Sequence, residues 1–388
     1  LSWSGTDYDW IAAGGGGADL YAANTTGSTD PTASGTLGLA IGSSASANGG
    51  SSVAIGDTAL ANSIYSVAIG RQANGSQNGA ISIGNSATAT GYYGVAIGSD
   101  ASAYQYGVAL GRQAKTGTSA QYSVSIGQSY ASGAHSFATG IANNTGAYGA
   151  TGANSIAMGY LAKSTGNYNT AIGYNTISSG AYGSIAMGYS ADATGAYAIA
   201  IGDTVVASGG NSISIGRFSI SSGDHSVTSG YGAVAATYGK YARTGLAIGP
   251  QGSSQTGQFV LLSDTTDATA EALTTNNSTA SADNQVILPN NSAYSFSGTI
   301  IARQQAADGS NYASWEIKGA LLRDANAAST VLGNGIVNKL FATAGASAWA
   351  IALTADTTNG GLKIEATGAA ATDIRWVATV NTSEVTYA

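Results

Sequence analysis

The chain has no cysteine, only five phenylalanines and two methionines, and charged residues make up just 9% of its 388 positions. The lack of cysteine excludes disulfides and thiolate metal sites. The scarcity of large apolar side chains argues against the thick core of an ordinary globular enzyme. We therefore expect a thin, repetitive core, and we predict neither enzymatic activity nor a cofactor.

Positive charge is also scarce, because 13 Lys and Arg residues stand against 20 Asp and Glu, for a net charge of -7. A chain of this kind offers no basic patch that could neutralise a nucleic-acid backbone, so no nucleic acid is expected as a partner. No apolar run approaches the roughly 20 residues of a membrane helix, and we predict no membrane insertion. The chain opens Leu1-Ser2-Trp3, and we expect an attachment region upstream of it.

Glycine is abundant, with 56 copies, and much of it follows a repeat. The tetrapeptide V-A-I-G or a close variant recurs, most often every 14 residues, and the wider spacings are interpreted as loops inserted into a regular coil. The repeats end at Gly42, Gly56, Gly70, Gly84, Gly98, Gly111, Gly127, Gly140, Gly159, Gly173, Gly188, Gly202, Gly216, Gly230 and Gly249.

Each repeat alternates in hydrophobicity, as in Val53-Ala54-Ile55. This period of two predicts a short strand whose valine and isoleucine form the buried face. The glycine then turns the chain into a second short strand containing Ala59 and Ala61. A coil of two strands and two turns cannot bury its apolar face alone, so coils must stack in parallel. Apolar surface left on one side predicts association with identical chains.

The segment 52–61, S-V-A-I-G-D-T-A-L-A, resembles the YadA-like head repeat of trimeric autotransporter adhesins. The resemblance covers about residues 37–249 and implies a trimeric left-handed parallel β-roll. Two repeats depart from it, since Thr139 and Ser229 replace the inward apolar residue before glycine, which predicts weakened or remodelled coils. Neither the heptads of that family's stalk nor its membrane anchor is visible in the sequence.

The regions around the repeats differ in composition. Residues 1–36 are interpreted as an N-terminal connector, and 250–284 as a neck or linker with one strand-like stretch at 259–262. Residues 285–388 are predicted to form a C-terminal β-sandwich whose core contains Trp315, Trp349 and Trp376. Its predicted strands are Val286 to Leu288, Tyr294 to Arg303, Ala313 to Arg323, Trp349 to Thr354, Leu362 to Ala366 and Ile374 to Val380.

The C-terminal region also carries a second resemblance. The stretches 285–289 and 298–303, together with 374–380, resemble terminal domains of tailed-phage fibre and structural proteins. This favours a homotrimeric tail fibre on the virion tail that contacts other tail proteins and attaches to a host polysaccharide or outer-membrane receptor. A bacterial trimeric surface adhesin or filament subunit is the alternative, and a polysaccharide-degrading tail spike is the third hypothesis.

The position five before the repeat glycine is often aromatic, and stacked coils would align these rings as a ladder. Such a ladder could stack on the sugar rings of a surface polysaccharide, although packing between coils near the trimer seam is the favoured interpretation. The residues are Tyr65, Tyr93, Tyr106, Tyr122, Tyr168 and Tyr197, with His135 and His225 in the same position.

Other chemistry is sparse. His135 and His225 could form a metal site on a three-fold axis, but solvated or packed histidines are favoured and no metal is expected. Three arginines share the position after the repeat glycine and could bind anionic sugars, although a solubilising role is favoured: they are Arg71, Arg112 and Arg217. The pairs Asp264 with Asp267 and Asp308 with Glu316 are the loosely suggestive carboxylates for glycan hydrolysis.

Overall fold

The computed structural model describes residues 2–3, 8–9, 29–140, 148–306 and 311–387. The chain divides into two compact units, residues 1–183 and 184–388. The all-β prediction is confirmed: in the described residues, helix is confined to two 3₁₀ turns, Ala327–Ser329 and Ala344–Ala346. The strands Ser2–Trp3 and Tyr8–Asp9 form a short antiparallel pair.

The first unit consists of stacked coils, each with a first strand of three residues, or five in Thr170–Tyr174, and a second strand of two residues. The first strands form one parallel sheet, called the first sheet: Leu39–Ile41, Val53–Ile55, Val67–Ile69, Ile81–Ile83, Val95–Ile97, Val108–Leu110, Val124–Ile126, Phe137–Thr139, Ile156–Met158 and Thr170–Tyr174. The second strands form the second sheet: Ser46–Ala47, Leu60–Ala61, Asn74–Gly75, Thr88–Ala89, Ser102–Ala103, Lys115–Thr116, Tyr130–Ala131, Gly149–Ala150, Lys163–Ser164 and Ile177–Ser178.

Equivalent residues of successive coils pair with one another. Val53 pairs with Val67 and Ala54 with Ala68, one repeat further along the chain. The register is kept where the spacing widens to 16 residues, because Val108 still pairs with Val124. The predicted parallel stacking of two-strand coils is therefore confirmed.

The predicted orientation of the first strand is wrong. Ala54 is fully buried, whereas Val53 and Ile55 on either side of it are half-buried and point outward. The second strand supplies the opposite wall, where Ala59 and Ala61 are also fully buried. The two walls lie so close that alanine, serine or glycine fills most of the interior, and Val205 is the one larger apolar side chain that is fully buried in the described coils.

This reversal also changes the interpretation of the two departing repeats. Thr139 and Ser229 belong to the outward column and are half-buried, so they leave the interior unchanged. Their coils keep the regular register: Phe137 pairs with Ile156, and Val227 pairs with Tyr241. Where these coils fall within the described residues, the predicted remodelling is not seen, and residues 141–147 after Gly140 lie outside them.

The repeat glycine is required by conformation and at most coils also by space; Gly127 and Gly140, with φ +77° and +69°, are exceptions, since no atom lies closer than 3.7 Å to a Cβ added there. Gly70 has φ +127°, a region that L side chains rarely adopt, and a Cβ added there would lie 2.7 Å from the carbonyl carbon of Gly84 in the next coil. Gly56, Gly84, Gly98, Gly202 and Gly216 have φ between +124° and +140°. The glycine column thus lets successive coils approach at their first turn.

The second unit begins with the same kind of coil. Its first-sheet strands are Ile185–Tyr189, Ile199–Asp203, Ile213–Arg217, Val227–Tyr231 and Tyr241–Thr244. Its second-sheet strands are Asp192–Ala193, Val206–Ala207, Ile220–Ser221 and Val234–Ala235.

The repeat assigned to Gly249 is wrong. Residues 246–249 form no strand, and Leu246 and Ile248 are 62% and 87% exposed. The last coil strand is Tyr241–Thr244, whose tyrosine pairs with Val227 at the usual spacing of 14 residues. The 14-residue spacing therefore identifies Tyr241–Thr244 as the last coil strand, although the sequence L-A-I-G at residues 246–249 matches the repeat motif.

The C-terminal part of the second unit has a long and a short antiparallel sheet. The long sheet contains Ser254–Thr265, Ile374–Thr386, Ser292–Gln304 and Tyr312–Arg323 in that order, followed by Val331–Leu332 and Ile336–Ala342. In the short sheet, Gly361–Thr367 pairs with Ala350–Asp356, Ala270–Ala272 and Val286–Ile287. Both sheets contribute to one buried core, which agrees with the predicted two-layer β domain.

Tryptophans occupy this core as predicted. Trp315, Trp349 and Trp376 are at most 1% exposed, and the ring of Trp376 lies 5.4 Å from that of Trp315 and 5.8 Å from that of Trp349. The segment expected as a neck or linker contributes the strand Ser254–Thr265, which pairs along its whole length with Ile374–Thr386. Phe259 and Leu261 of that strand are buried in the same core.

We predict that Gly70→Ala lowers the free energy of unfolding by about 2 kcal/mol or more. The positive φ at this position is strained for alanine, and the added methyl group meets the backbone of the next coil. The measurement is chemical denaturation of the purified protein.

Gly245→Ala is the matched control, since nothing lies within 4 Å of a Cβ at that position. Equal stability of the two variants would contradict the close-approach role of the glycine column.

Candidate functional site: the outer faces of the coils and the coil end

The two outer faces of the coils differ in polarity. The first sheet presents valine, isoleucine and methionine outward, and Ile97, Ile126 and Ile156 are each 38% exposed. The second sheet presents a mixed set. Polar residues such as Ser46, Asn74, Thr88, Ser102 and Lys115 point outward in the first unit, together with Leu60, Tyr130 and Ile177, whereas Val206, Ile220 and Val234 point outward in the second unit. The outer face of the first sheet, called the Val/Ile face, is the more continuous apolar surface and gains most from being covered.

The predicted aromatic ladder is present in part. The ring of Tyr106 stacks on Tyr93 at 5.8 Å and on Tyr122 at 4.8 Å, and His135 stacks on Tyr122 at 5.0 Å. All four residues have φ between +53° and +57°, so they lie at the left-handed position of the second turn. Each ring therefore extends from a strained turn over the turn of the preceding coil.

The stacking limits what this ladder can bind. The faces of Tyr106 and Tyr122 are covered by neighbouring rings, although these residues are 36% and 51% exposed. What remains accessible is the ring edge and the hydroxyl group. Contact between a sugar and an aromatic face needs an open ring, so within this run the geometry favours packing between coils.

Three predicted ladder tyrosines have no aromatic neighbour in their column. Tyr65 lies between Ser51 and Gly79 in the column, Tyr168 follows Asn154, and Tyr197 precedes Asn211. They share the left-handed φ, at +59°, +60° and +57°. Their exposure is 67%, 62% and 58%, and no ring of the same column covers their faces, unlike Tyr93, which is 60% exposed but stacks on Tyr106.

The two histidines lie in similar surroundings in separate units. Both are exposed; His135 ends the run of stacked rings, and His225 lies 5.0 Å from the ring of Tyr238. Within the described ranges, no three His, Asp or Glu side chains come together to hold a metal ion. The two histidines make ring contacts within the chain, and a metal role is not tested by this arrangement.

The arginines after the repeat glycine are exposed, and two of them contact neighbouring coils. Arg217 forms an ion pair with Asp203 at 2.9 Å, and its guanidinium lies 4.7 Å from the ring of Phe218. Arg71 donates to Asn85 Oδ1 at 3.3 Å, and Arg112 is exposed. Arg71 and Arg217 therefore bridge successive coils along a solvated polar edge.

A second aromatic column was not identified from the sequence. Tyrosine follows the repeat glycine at Tyr160, Tyr174, Tyr189 and Tyr231, and the rings of Tyr160 and Tyr174 stack at 5.2 Å. The signal was available as the recurring dipeptide Gly-Tyr at the end of a repeat. In the first unit, both turns of the coil thus carry stacked aromatic residues.

The described carboxylates that were considered for glycan hydrolysis form local hydrogen bonds or ion pairs. Asp264 accepts from Arg375 and Gln305, both at 3.0 Å, and Asp267 accepts from the backbone N–H of Thr269 at 2.6 Å. The hydrogen bonds from Thr269 lower the pKa of Asp267. Glu316 lies 3.9 Å from Lys318. Asp308 falls outside the described residues, so its predicted pairing with Glu316 is untested.

A buried ion pair joins the last coil to the C-terminal domain within the second unit. Lys240 Nζ lies 2.7 Å from Glu384 Oε2, and the two side chains are 5% and 0% exposed. Gln255 and Thr382 donate to the same carboxylate at 2.6 and 2.7 Å. Burial, together with the hydrogen bond and charge of Glu384, raises the pKa of Tyr294 well above its usual value.

The backbone continues across the same junction. Tyr241–Thr244 pairs in parallel with the preceding coil on one side and antiparallel with Ser254–Thr265 on the other. The open edge of the last coil is therefore covered by the C-terminal domain, and the ion pair lies beside this covered edge.

Comparison with known families supports the repeat assignment. A family model described as the YadA head domain repeat, in two copies, matches residues 33–59, 47–73, 76–101, 150–176, 178–203 and 207–233. These segments are YadA head repeats. They cover less than half of the chain and lie within the coils, so the C-terminal domain carries no such match. No curated protein gives a significant match.

The described part of the chain contains no helix with the length and hydropathy that a bilayer crossing requires.

We predict that Tyr106→Ala lowers the free energy of unfolding by about 1–3 kcal/mol, because it removes two ring stacks worth about 0.5–1.5 kcal/mol each. Tyr65→Ala is the matched control, since it starts from the same left-handed backbone but has no aromatic neighbour in the column. Chemical denaturation of both variants measures the difference, and equal losses would contradict a packing role for the ladder.

We predict that Lys240→Met lowers stability by about 3–5 kcal/mol, because it leaves Glu384 charged and buried without a cation. The double variant Lys240→Met with Glu384→Gln should recover part of the loss, since a neutral amide costs less to bury. Thermal melting of the single and double variants measures this recovery. A double variant less stable than the single one would show that the charge pair is not the origin of the effect.

Proposed function

We propose that this chain is the shaft and terminal domain of a homotrimeric fibre that attaches to a cell surface. The observation that carries the proposal is the reversed coil, which buries alanine inside and places valine and isoleucine outside on one face. A half-exposed apolar column repeated coil after coil is stabilised when identical chains cover it. The YadA head repeats support the same reading, because that family uses them in trimeric surface adhesins.

A trimer also suits attachment. Three identical chains present each outer surface three times, so weak contacts with a repetitive polysaccharide add up through effective concentration. The polar side chains on the outer face of the second sheet in the first unit, such as Thr88 and Ser102, and the open rings of Tyr65, Tyr168 and Tyr197 supply hydroxyl and aromatic groups for such contacts. The expected ligand is a cell-surface polysaccharide or an outer-membrane receptor.

We place the fibre on the virion tail of a tailed phage, where other tail proteins would hold it. The resemblance of the C-terminal sequence to phage fibre domains supports this assignment. A bacterial trimeric surface adhesin is the second candidate, and the YadA head repeats favour it equally. Labelling intact virions and intact bacteria with antibody against the chain distinguishes the two locations.

We predict that charging the Val/Ile face converts the trimer to monomer. The variant carries Val95→Glu, Ile97→Glu and Ile126→Glu, three outward positions of the first sheet. Sedimentation measures the mass of the assembly, and binding of the labelled protein to intact cells should fall with the loss of avidity.

The control carries the same three charges on the other face, as Ser46→Glu, Thr88→Glu and Ser102→Glu. It should remain trimeric. A wild-type chain that sediments as a monomer, or a charged Val/Ile face that leaves the trimer intact, would overturn the proposal.

A further inference from the structure

The two outer faces of the C-terminal domain differ in polarity. All the exposed large apolar side chains that the structure describes from residue 250 onward lie on the long sheet or directly after its strand Ile374–Thr386. The outward side chains of the short sheet are small or polar, as at Ala350, Thr354, Lys363 and Glu365, and the last two form an ion pair at 2.6 Å. The long sheet is therefore the layer whose outer surface gains from being covered.

The outer face of the long sheet continues the Val/Ile face of the coils in the second unit. Ile215, Ser229 and Arg243 pair in one outward column of the first sheet, and Arg243 then pairs with Thr256 of the long sheet. Directly paired residues point to the same side of a sheet. A chain that covers the Val/Ile face of these coils therefore lies on the same side as the outer face of the long sheet.

An apolar cluster, called the Phe341 patch, lies on this outer face and consists of Ile301, Tyr312, Leu340 and Phe341. Ile301 and Phe341 both pair with Ser314 and so belong to one row across the sheet. The ring of Tyr312 stacks on that of Phe341 at 5.0 Å. The four side chains are 43–56% exposed. Aromatic and aliphatic side chains gathered in this way are typical of the centre of a protein interface.

The patch borders an open strand edge. Ile336–Ala342 pairs with Tyr312–Arg323 and, among the described residues, with no other strand, and its first six residues are all exposed. Charge does not protect this edge, because the ammonium group of Lys339 donates to the carbonyls of Ser347 and Trp349 at 2.9 and 2.6 Å. An apolar edge strand of this kind is a site at which another chain packs.

The shape of the edge selects what packs there. The register shifts between Ser314 and Trp315, so Leu340 has no partner residue and forms a β-bulge. A bulge interrupts the regular row of backbone groups that an added foreign strand needs. The side chains beside it remain available, which favours packing against the surface of a folded neighbour.

A sister chain is positioned to be that neighbour. The pairing of Tyr241–Thr244 with Ser254–Thr265 and the buried ion pair of Lys240 with Glu384 fix the domain to its own coils. Coils joined in a trimer therefore hold their C-terminal domains close together, at a high effective concentration.

We propose that the C-terminal domain of a sister chain covers the Phe341 patch and the open edge beside it. The contact between chains then continues from the coils into the C-terminal domain, and the polar outer face of the short sheet stays in contact with solvent. This inference rests on the proposed homotrimer and extends it to a domain that the YadA head repeats do not cover.

The test attaches a nitroxide spin label to a single cysteine of the full-length chain, which has no cysteine of its own. Leu340→Cys carries the label in the patch, and Thr354→Cys is the matched control on the exposed outer face of the short sheet. We expect the label at 340 to be immobilised and to lie closer to its copies than the label at 354. A mobile label at 340, or copies no closer together than those at 354, would overturn the proposal.

Charged variants measure the strength of the contact. Ile301→Glu with Phe341→Glu should raise the concentration at which half of the trimer dissociates by about tenfold or more, because desolvated carboxylates oppose association. Ala350→Glu with Thr354→Glu places the same charges on the short sheet and should leave it unchanged. Sedimentation over a dilution series measures both variants. Equal dissociation of a folded patch variant and the control would contradict the assignment, and the spin labels decide it if the patch variant does not fold.

The outcomes separate this contact from the proposed function. A trimeric wild type whose labels at 340 stay mobile and distant removes the contact between domains and leaves the fibre proposal standing. A trimer that survives charges on the Val/Ile face but dissociates when the Phe341 patch is charged supports the domain contact and removes the coil interface. A monomeric wild type overturns both.

Discussion

The small distance between the two walls of a coil constrains the rest of the structure. With so little room, the interior is filled mainly by small side chains such as Ala54 and Ala61, with Val205 as the largest apolar side chain buried in the described coils, and the valine and isoleucine of the first strands lie outside. Burying an alanine stabilises far less than burying an isoleucine, so a lone coil gains little from its own core. Stability must come from ladders of backbone hydrogen bonds between coils and from cover over the Val/Ile face.

The sequence predicted the coils well because two independent signals agreed. The 14-residue spacing defines which residues pair, and the glycine column marks the first turn. What it predicted wrongly was the direction of the first strand. Alternation by two shows that Ala54 and Ile55 face opposite ways, but hydrophobicity alone placed the larger side chain inside, whereas the available space excludes it.

The candidate sites were less predictable, since they depend on packing that no repeat encodes. The stacking of Tyr106 between two rings follows from its left-handed turn, and a sequence shows the position of a tyrosine but not the direction of its ring. Lys240 is different, because it occupies the column where other coils bury a small side chain such as Ser212 or Ser226. The change from serine to lysine in this column is visible in the sequence. The partner of Lys240, Glu384, lies 144 residues away and could not be inferred.

The antiparallel strand Ser254–Thr265 at the last coil has a consequence for the growth of the stack. A further coil would have to run parallel to Tyr241–Thr244, and that edge is already occupied by a strand of opposite direction. Lengthening can therefore proceed by duplication of an internal 14-residue module, which leaves the terminal pairing untouched. A lineage could in this way change the number of coils one at a time, without redesigning the junction with the C-terminal domain.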